Sequence, residues 1–82
     1  MDKIEKNREL IDIIDDEIMS LLDKRLCLAV EIGKAKSVST IAVLDTKREN
    51  IILNKTSNYS HSPQIDVIYK KIMEMSKSLQ RE

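Results

Sequence analysis

The sequence is poor in the residues that punctuate and staple small folds. Its 82 residues include one Gly, one Pro, one Cys, two Tyr, no Trp and no Phe. So few turn formers and aromatics argue against a β-sandwich or barrel, whose short strands need frequent turn signals. With Cys27 as the lone cysteine there is no intramolecular disulfide, and the lone histidine, His61, has no company at metal-ligand spacing. Neither charge sign is in excess: 14 Lys+Arg face 14 Asp+Glu, a formal net charge of zero. That argues against a nucleic-acid protein working through a broad basic surface. The opening MDKIEKNRELID is charged and lacks the apolar centre of a signal peptide, and no window approaches a membrane span. The expectation is one soluble, cytoplasmic domain over residues 1–82, without internal repeats or low-complexity tracts.

What the chain does have is Leu, Ile, Lys, Glu and Asp in quantity, the composition of helical proteins. From Ile4, apolar residues recur at helical spacing through Ile11, Ile14, Ile18, Leu21, Leu28, Ile32 and Ala35. Asn7 and Arg25 fill the two remaining slots, and Gly33 is the only breaker between residues 3 and 36. The pattern predicts one helix over this span, about 50 Å long at ~1.5 Å per residue. A second apolar line runs beside the first: Leu10, Ile13, Leu22, Leu26, Ala29 and Val30. The apolar face is therefore wider than a coiled-coil seam, and residues 37–82 are too few to cover it. A second copy of the same helix is expected to cover part of it, in a two-fold homodimer.

The segment SVSTIAV, residues 37–43, reads as a connection. A second helix is expected to begin near Asp45, a good N-cap or first-turn residue, and to run through TKRENIILNK to about Lys55. TSNYSHS then forms a turn. Ser62-Pro63 predicts the start of a third helix, with Ser62 as N-cap and Pro63 at the first helical position. This helix carries Ile65, Ile68, Ile72, Met75 and Leu79 on one side and frays near Gln80–Glu82. The fold class is all-α, three helices with a very long first one.

Two cations interrupt the long apolar line. Arg25 and Lys36 are eleven positions apart, so they differ by only about 20° around the helix and point where Ile18, Leu28 and Ile32 point. A desolvated, unpaired cation costs several kcal/mol, and the nearby acids Asp23 and Glu31 project elsewhere. A bound anion resolves the problem, and the guanidinium fork suits a carboxylate. The bland alternative is that Arg25 sets register or snorkels, and that Lys36 complements the helix dipole. Gly33 costs about 1 kcal/mol against Ala; it either admits a close backbone or ligand or is simply tolerated near the helix end. Ser76 and Gln80, four apart, share a face of the third helix, as ligand-orienting groups or as a solvated end. Asp45, Arg48 and Glu49 open the second helix, as site groups or as cap and surface charge. Arg8 points about 100° from Arg25 at the far end of the same helix and cannot join it within one chain. In an antiparallel dimer, Arg8 of the partner subunit could reach the region of Arg25.

Taken together, NRELIDIIDDEIMSLLDKRLCLAVEIGKAK, VLDTKRENII and MSKSLQ resemble the all-helical, AroQ-class chorismate mutases over nearly the whole chain. The ordered elements are an Arg, LLxxR, AVxIGKxK, DxxRE and SxxxQ. Two features depart from the pattern: a shorter connection before the third helix, and Ala42 where many members carry proline. The resemblance implies an intertwined dimer with two sites that rearrange chorismate to prephenate in phenylalanine and tyrosine biosynthesis, the aromatic branch of the shikimate pathway. Arg25 and Arg48, with Arg8 of the partner subunit, would hold the two substrate carboxylates. Lys36 and Gln80 would donate to the ether oxygen, making Arg25, Lys36 and Gln80 the catalytic set. Glu49 and the backbone around Asp45 would hold the ring hydroxyl, and Ser76 would assist a carboxylate. The reaction it implies needs no metal or cofactor, and neither nucleic acid nor membrane is an implied partner. Two rivals remain: an isochorismate–pyruvate lyase on the same scaffold, against which the full DxxRE and SxxxQ match weighs, and a non-catalytic helical dimerisation module.

Overall fold

A computed structural model describes residues 2–36 and 46–80, apart from the Lys36 side chain. The expected connection at residues 37–43, Asp45, and the expected fraying at residues 81–82 lie outside the described residues. Three helices follow in order: α1 over Lys3–Lys36, α2 over Thr46–Lys55 and α3 over Ser62–Gln80. Helix α1 starts where its cap dictates. Asp2 Oδ1 accepts from the Glu5 amide at 2.8 Å and the Asp2 carbonyl from Lys6 at 3.1 Å, so two amides of the first turn find acceptors. With no proline or turn pair to stop it, the helix continues for 34 residues, and the molecule measures 56 Å along its longest axis.

The polar TSNYSHS cluster turns the chain, as expected. Thr56–Asn58 form a short 3₁₀ turn in which Thr56 Oγ1 and Ser57 Oγ donate back to the Leu53 and Asn54 carbonyls, both at 2.8 Å. These hydroxyls satisfy the last carbonyls of α2, which would otherwise lack partners. Helix α3 opens on Ser62 itself, one residue earlier than a Ser62 N-cap would place it. Its first turn is closed by the Ile65 amide donating to the His61 carbonyl at 3.0 Å. Pro63, which has no amide hydrogen to lose, fits the first turn.

Packing decides which apolar line is used. Helix α3 covers the later part of the second line of α1: Ala29 is buried, and Leu22, Leu26, Val30 and Gly33 are half-buried, while Leu10 and Ile13 at its start are exposed. The first line stays open, with Ile4, Ile11, Ile14, Ile18, Leu21, Leu28 and Ile32 all 46–63% exposed. On α3 the inward face is likewise not centred on the apolar line. Met73 and Ser76 are the buried residues, with Ile65, Tyr69, Ile72, Leu79 and Gln80 half-buried, while Ile68 and Met75 face out. The packed face is turned by roughly a quarter of a revolution from the Ile68–Met75 edge towards Tyr69, Ser76 and Gln80.

Gly33 explains how close α1 and α3 come. A Cβ there would lie 2.8 Å from Gln80 Cα and 2.9 Å from the Gln80 carbonyl oxygen. These are backbone atoms, which cannot swing aside, so a hydrogen in place of a side chain is what admits the end of α3. The close-backbone reading of this glycine is thus correct.

The molecule remains too open for a compact 9.5 kDa domain. Its accessible surface is 6874 Å², against about 5,000 Å² expected from mass scaling. Its radius of gyration is 16.1 Å, against about 12 Å for a compact chain of this length. The bare line of α1 contributes to this excess.

Candidate functional site

The question posed by Arg25 has a structural answer. Its guanidinium is half-buried between α1 and α3, and both described partners are neutral. Nη1 donates to Ser76 Oγ at 2.7 Å, and the guanidinium carbon lies 6.0 Å from the centre of the Tyr69 ring. Ser76, only 5% exposed, donates its own hydroxyl hydrogen to the Ile72 carbonyl at 2.9 Å. With its one donor committed there, the hydroxyl faces Arg25 as an acceptor, which fixes one corner of the guanidinium. The positive charge itself is held in place but left uncompensated by these contacts. That is the arrangement of a preorganised anion receptor.

Arg25 lines a cleft of about 250 Å³ together with Arg48, Lys55, Thr56, Tyr59 and Tyr69, with Ile52 and Ile65 as its apolar part. Three cations and two phenols around an apolar floor can receive a small, ring-bearing anion. Helix α2 supplies Arg48 and Lys55 from one side, α1 supplies Arg25, and α3 supplies Tyr69. The residue after Arg48 also has a partner: Glu49 Oε2 lies 3.0 Å from Lys77 Nζ on α3.

The other residues singled out in the sequence are distributed as follows. Gln80 closes α3 against Gly33, and is therefore beside the last turn of α1, which Lys36 ends. Asp45 lies outside the described residues, as does the side chain of Lys36. Arg8 is exposed on α1, seventeen residues before Arg25, and so about 25 Å away along the helix axis. The structure brings Arg25, Arg48 and Ser76 to one region and does not bring Arg8 there within a chain. Ser76 is not at a solvated end, and Glu49 is not free surface charge.

Tyr69, Lys55, Thr56, Tyr59 and Lys77 escaped the sequence reading. Tyr69 could have been found, because it stands seven residues before Ser76 and so shares its face of the helix. Lys77 could not, because its partner sits on another helix and no spacing rule links them.

Comparison with known proteins supplies the family. The model of the family "Chorismate mutase type II" matches residues 7–81. The bifunctional chorismate mutase/prephenate dehydratase of Escherichia coli (strain K12) is 37% identical over 62 residues, 76% of this chain and 16% of that protein. The same figures hold for the bifunctional protein of Shigella flexneri. The chorismate mutase of Methanocaldococcus jannaschii is 26% identical over 87 aligned positions, covering 100% of this chain and 88% of that protein. The chain thus spans about a sixth (16%) of the length of the bifunctional relatives it matches. With the family match running through all three helices, and through Arg25, Arg48 and Ser76 alike, the chain belongs to the chorismate mutase type II family.

Proposed function

We propose that the protein is a chorismate mutase, an isomerase that converts chorismate to prephenate by an intramolecular Claisen rearrangement, and that it works as a two-fold homodimer. The observation that carries the reading is Arg25, half-buried and locked by Ser76 with its charge turned to a cleft it shares with Arg48, in a chain of this family. A substrate with two carboxylates answers such a cleft. Arg25 and Arg48 pair with the two carboxylates, joined by Arg8 of the partner subunit, and Ser76 assists a carboxylate. Glu49 and the backbone at Asp45 take the ring hydroxyl, while Lys36 and Gln80 reach the ether oxygen.

The chemistry asks two things of these groups. Chorismate must be held in its folded, reactive conformer, which the arginines achieve by fixing both carboxylates. The breaking C–O bond then leaves negative charge on the ether oxygen, which Lys36 and Gln80 stabilise as preset donors. A millionfold acceleration needs about 8 kcal/mol, and two such donors at about 3–4 kcal/mol each supply most of it. No covalent intermediate is required, so Cys27, exposed on α1, has no part in the reaction.

The dimer reading is supported by the open apolar line of α1 and by the excess accessible surface. The printed name of the Escherichia coli relative joins chorismate mutase to prephenate dehydratase, and a place in phenylalanine and tyrosine synthesis suits the present chain too. Among the described residues no helix is long and apolar enough to cross a membrane, which agrees with a cytoplasmic enzyme. The test is direct: incubate purified protein with chorismate and follow chorismate loss, prephenate and pyruvate. Prephenate without pyruvate is expected. Pyruvate release from isochorismate would favour the lyase, and no consumption of either substrate would leave only a helical dimerisation module.

A further inference from the structure

Four described ion pairs are found, and one differs from the rest. Lys34–Glu31, Lys70–Asp66 and Lys71–Glu74 each lie within one helix, with at least one side chain more than 60% exposed. Such pairs contribute little. Lys77–Glu49 instead joins α3 to α2 at 3.0 Å, with side chains 27% and 25% exposed. Its two residues do not line the cleft themselves, but each is adjacent in sequence to a residue that holds or lines it. Lys77 follows Ser76, which holds Arg25, and Glu49 follows Arg48.

A carboxylate beside an anion-binding cleft creates a conflict. If Glu49 is to accept a hydroxyl from a substrate carrying two carboxylates, its own charge repels that substrate. A counter-cation removes the repulsion, provided that it does not occupy both oxygens. The contact joins Lys77 Nζ to Oε2 of Glu49, and a single ammonium facing one carboxylate oxygen is compatible with the other oxygen serving the substrate. The pair also fixes α2 against α3 at the level of the cleft.

We propose that Lys77 is a positioning residue for Glu49. It neutralises that carboxylate towards an incoming dianion and holds it with one oxygen available for the substrate hydroxyl. This inference rests on the mutase reading and on Glu49 meeting the hydroxyl.

The experiment is a double-mutant cycle on the full chain, reading kcat and KM for chorismate. Lys77→Met keeps the aliphatic stem and removes the charge, whereas Lys77→Arg keeps the charge. Lys77→Met should lower kcat/KM about tenfold, chiefly through KM, and Lys77→Arg should restore most of it. Glu49→Gln is impaired in its own right. On that background the amide needs no counter-charge, and adding Lys77→Met should cost less than about twofold. Unchanged kcat/KM in Lys77→Met, an equal loss in both backgrounds, or failure of Lys77→Arg to rescue would overturn the proposal. A wild-type protein without turnover would remove the mutase reading and this inference together, whereas normal wild-type turnover with an indifferent Lys77→Met removes this inference alone.

Discussion

A single side chain out of place carries much of the argument. Arg25 was conspicuous in the sequence because a cation on an apolar line demands a reason, and its reason is a hydroxyl, an aromatic face and a cleft. Gln80 is the counterpart at the end of α3, proposed as a neutral donor to the ether oxygen. Its amide is uncharged at every ordinary pH, so its donor is always present. Gln80→Glu replaces it with a carboxyl that donates only when protonated. The variant should be active below the pKa of the new carboxyl, ordinarily about 4.3, and should lose activity as pH rises through it. A pH–rate profile unchanged from wild type would show that Gln80 does not touch the reacting oxygen. Residue types and spacing were enough to single out Arg25, Ser76 and Gln80. Lys77 was invisible because its significance arises from a contact across two helices, and only the fold creates that neighbourhood.

The helices themselves were nearly all legible. Uninterrupted 3–4 spacing placed α1 at residues 3–36, and the Ser62-Pro63 signal placed α3 within one residue. The apolar side of α3 was legible in part: Ile65, Ile72 and Leu79 are half-buried, and the packed face extends beyond them. Ile68 and Met75 lie on the most apolar line of α3, yet Tyr69, Ser76 and Gln80 share the face turned to α1. Hydrophobic periodicity reports which residues avoid water, not which neighbour covers them, and a chain that leaves an apolar line uncovered separates the two. Gly33 marks where α1 and α3 meet most tightly. Gly33→Ala gains helix propensity of up to about 1 kcal/mol, but the overpacking costs about 1–3 kcal/mol. The expected balance is a melting temperature lowered by several degrees, measured at fixed protein concentration, with a fall in kcat as Gln80 is pushed from its place. A raised melting temperature with full activity would show that the ends of the two helices yield freely.

At the scale of the molecule the chain leaves a long apolar line of α1 open. Its few buried residues, Ala29 and Met73 among the hydrophobics described, form a thin core, and its accessible surface of 6874 Å² exceeds the compact value by well over 1,000 Å². A second α1 laid along the open line would recover that surface, and in antiparallel register it would carry the partner's Arg8 towards Arg25. The sequence made an uncovered face legible, because residues 37–82 are too few to cover a helix of this length, and the open line of α1 agrees; a second copy as its cover is the proposal. It could not place the partner, because register depends on side-chain interlock across two chains. The most direct test combines an Arg8→Ala chain with an Arg25→Ala chain, each nearly inactive alone, after verified subunit exchange. Sites shared between chains predict that an equal mixture regains about a quarter of wild-type activity, since half of the dimers are mixed and each of these holds one intact site of two. No recovery in demonstrably mixed dimers would contradict the shared site.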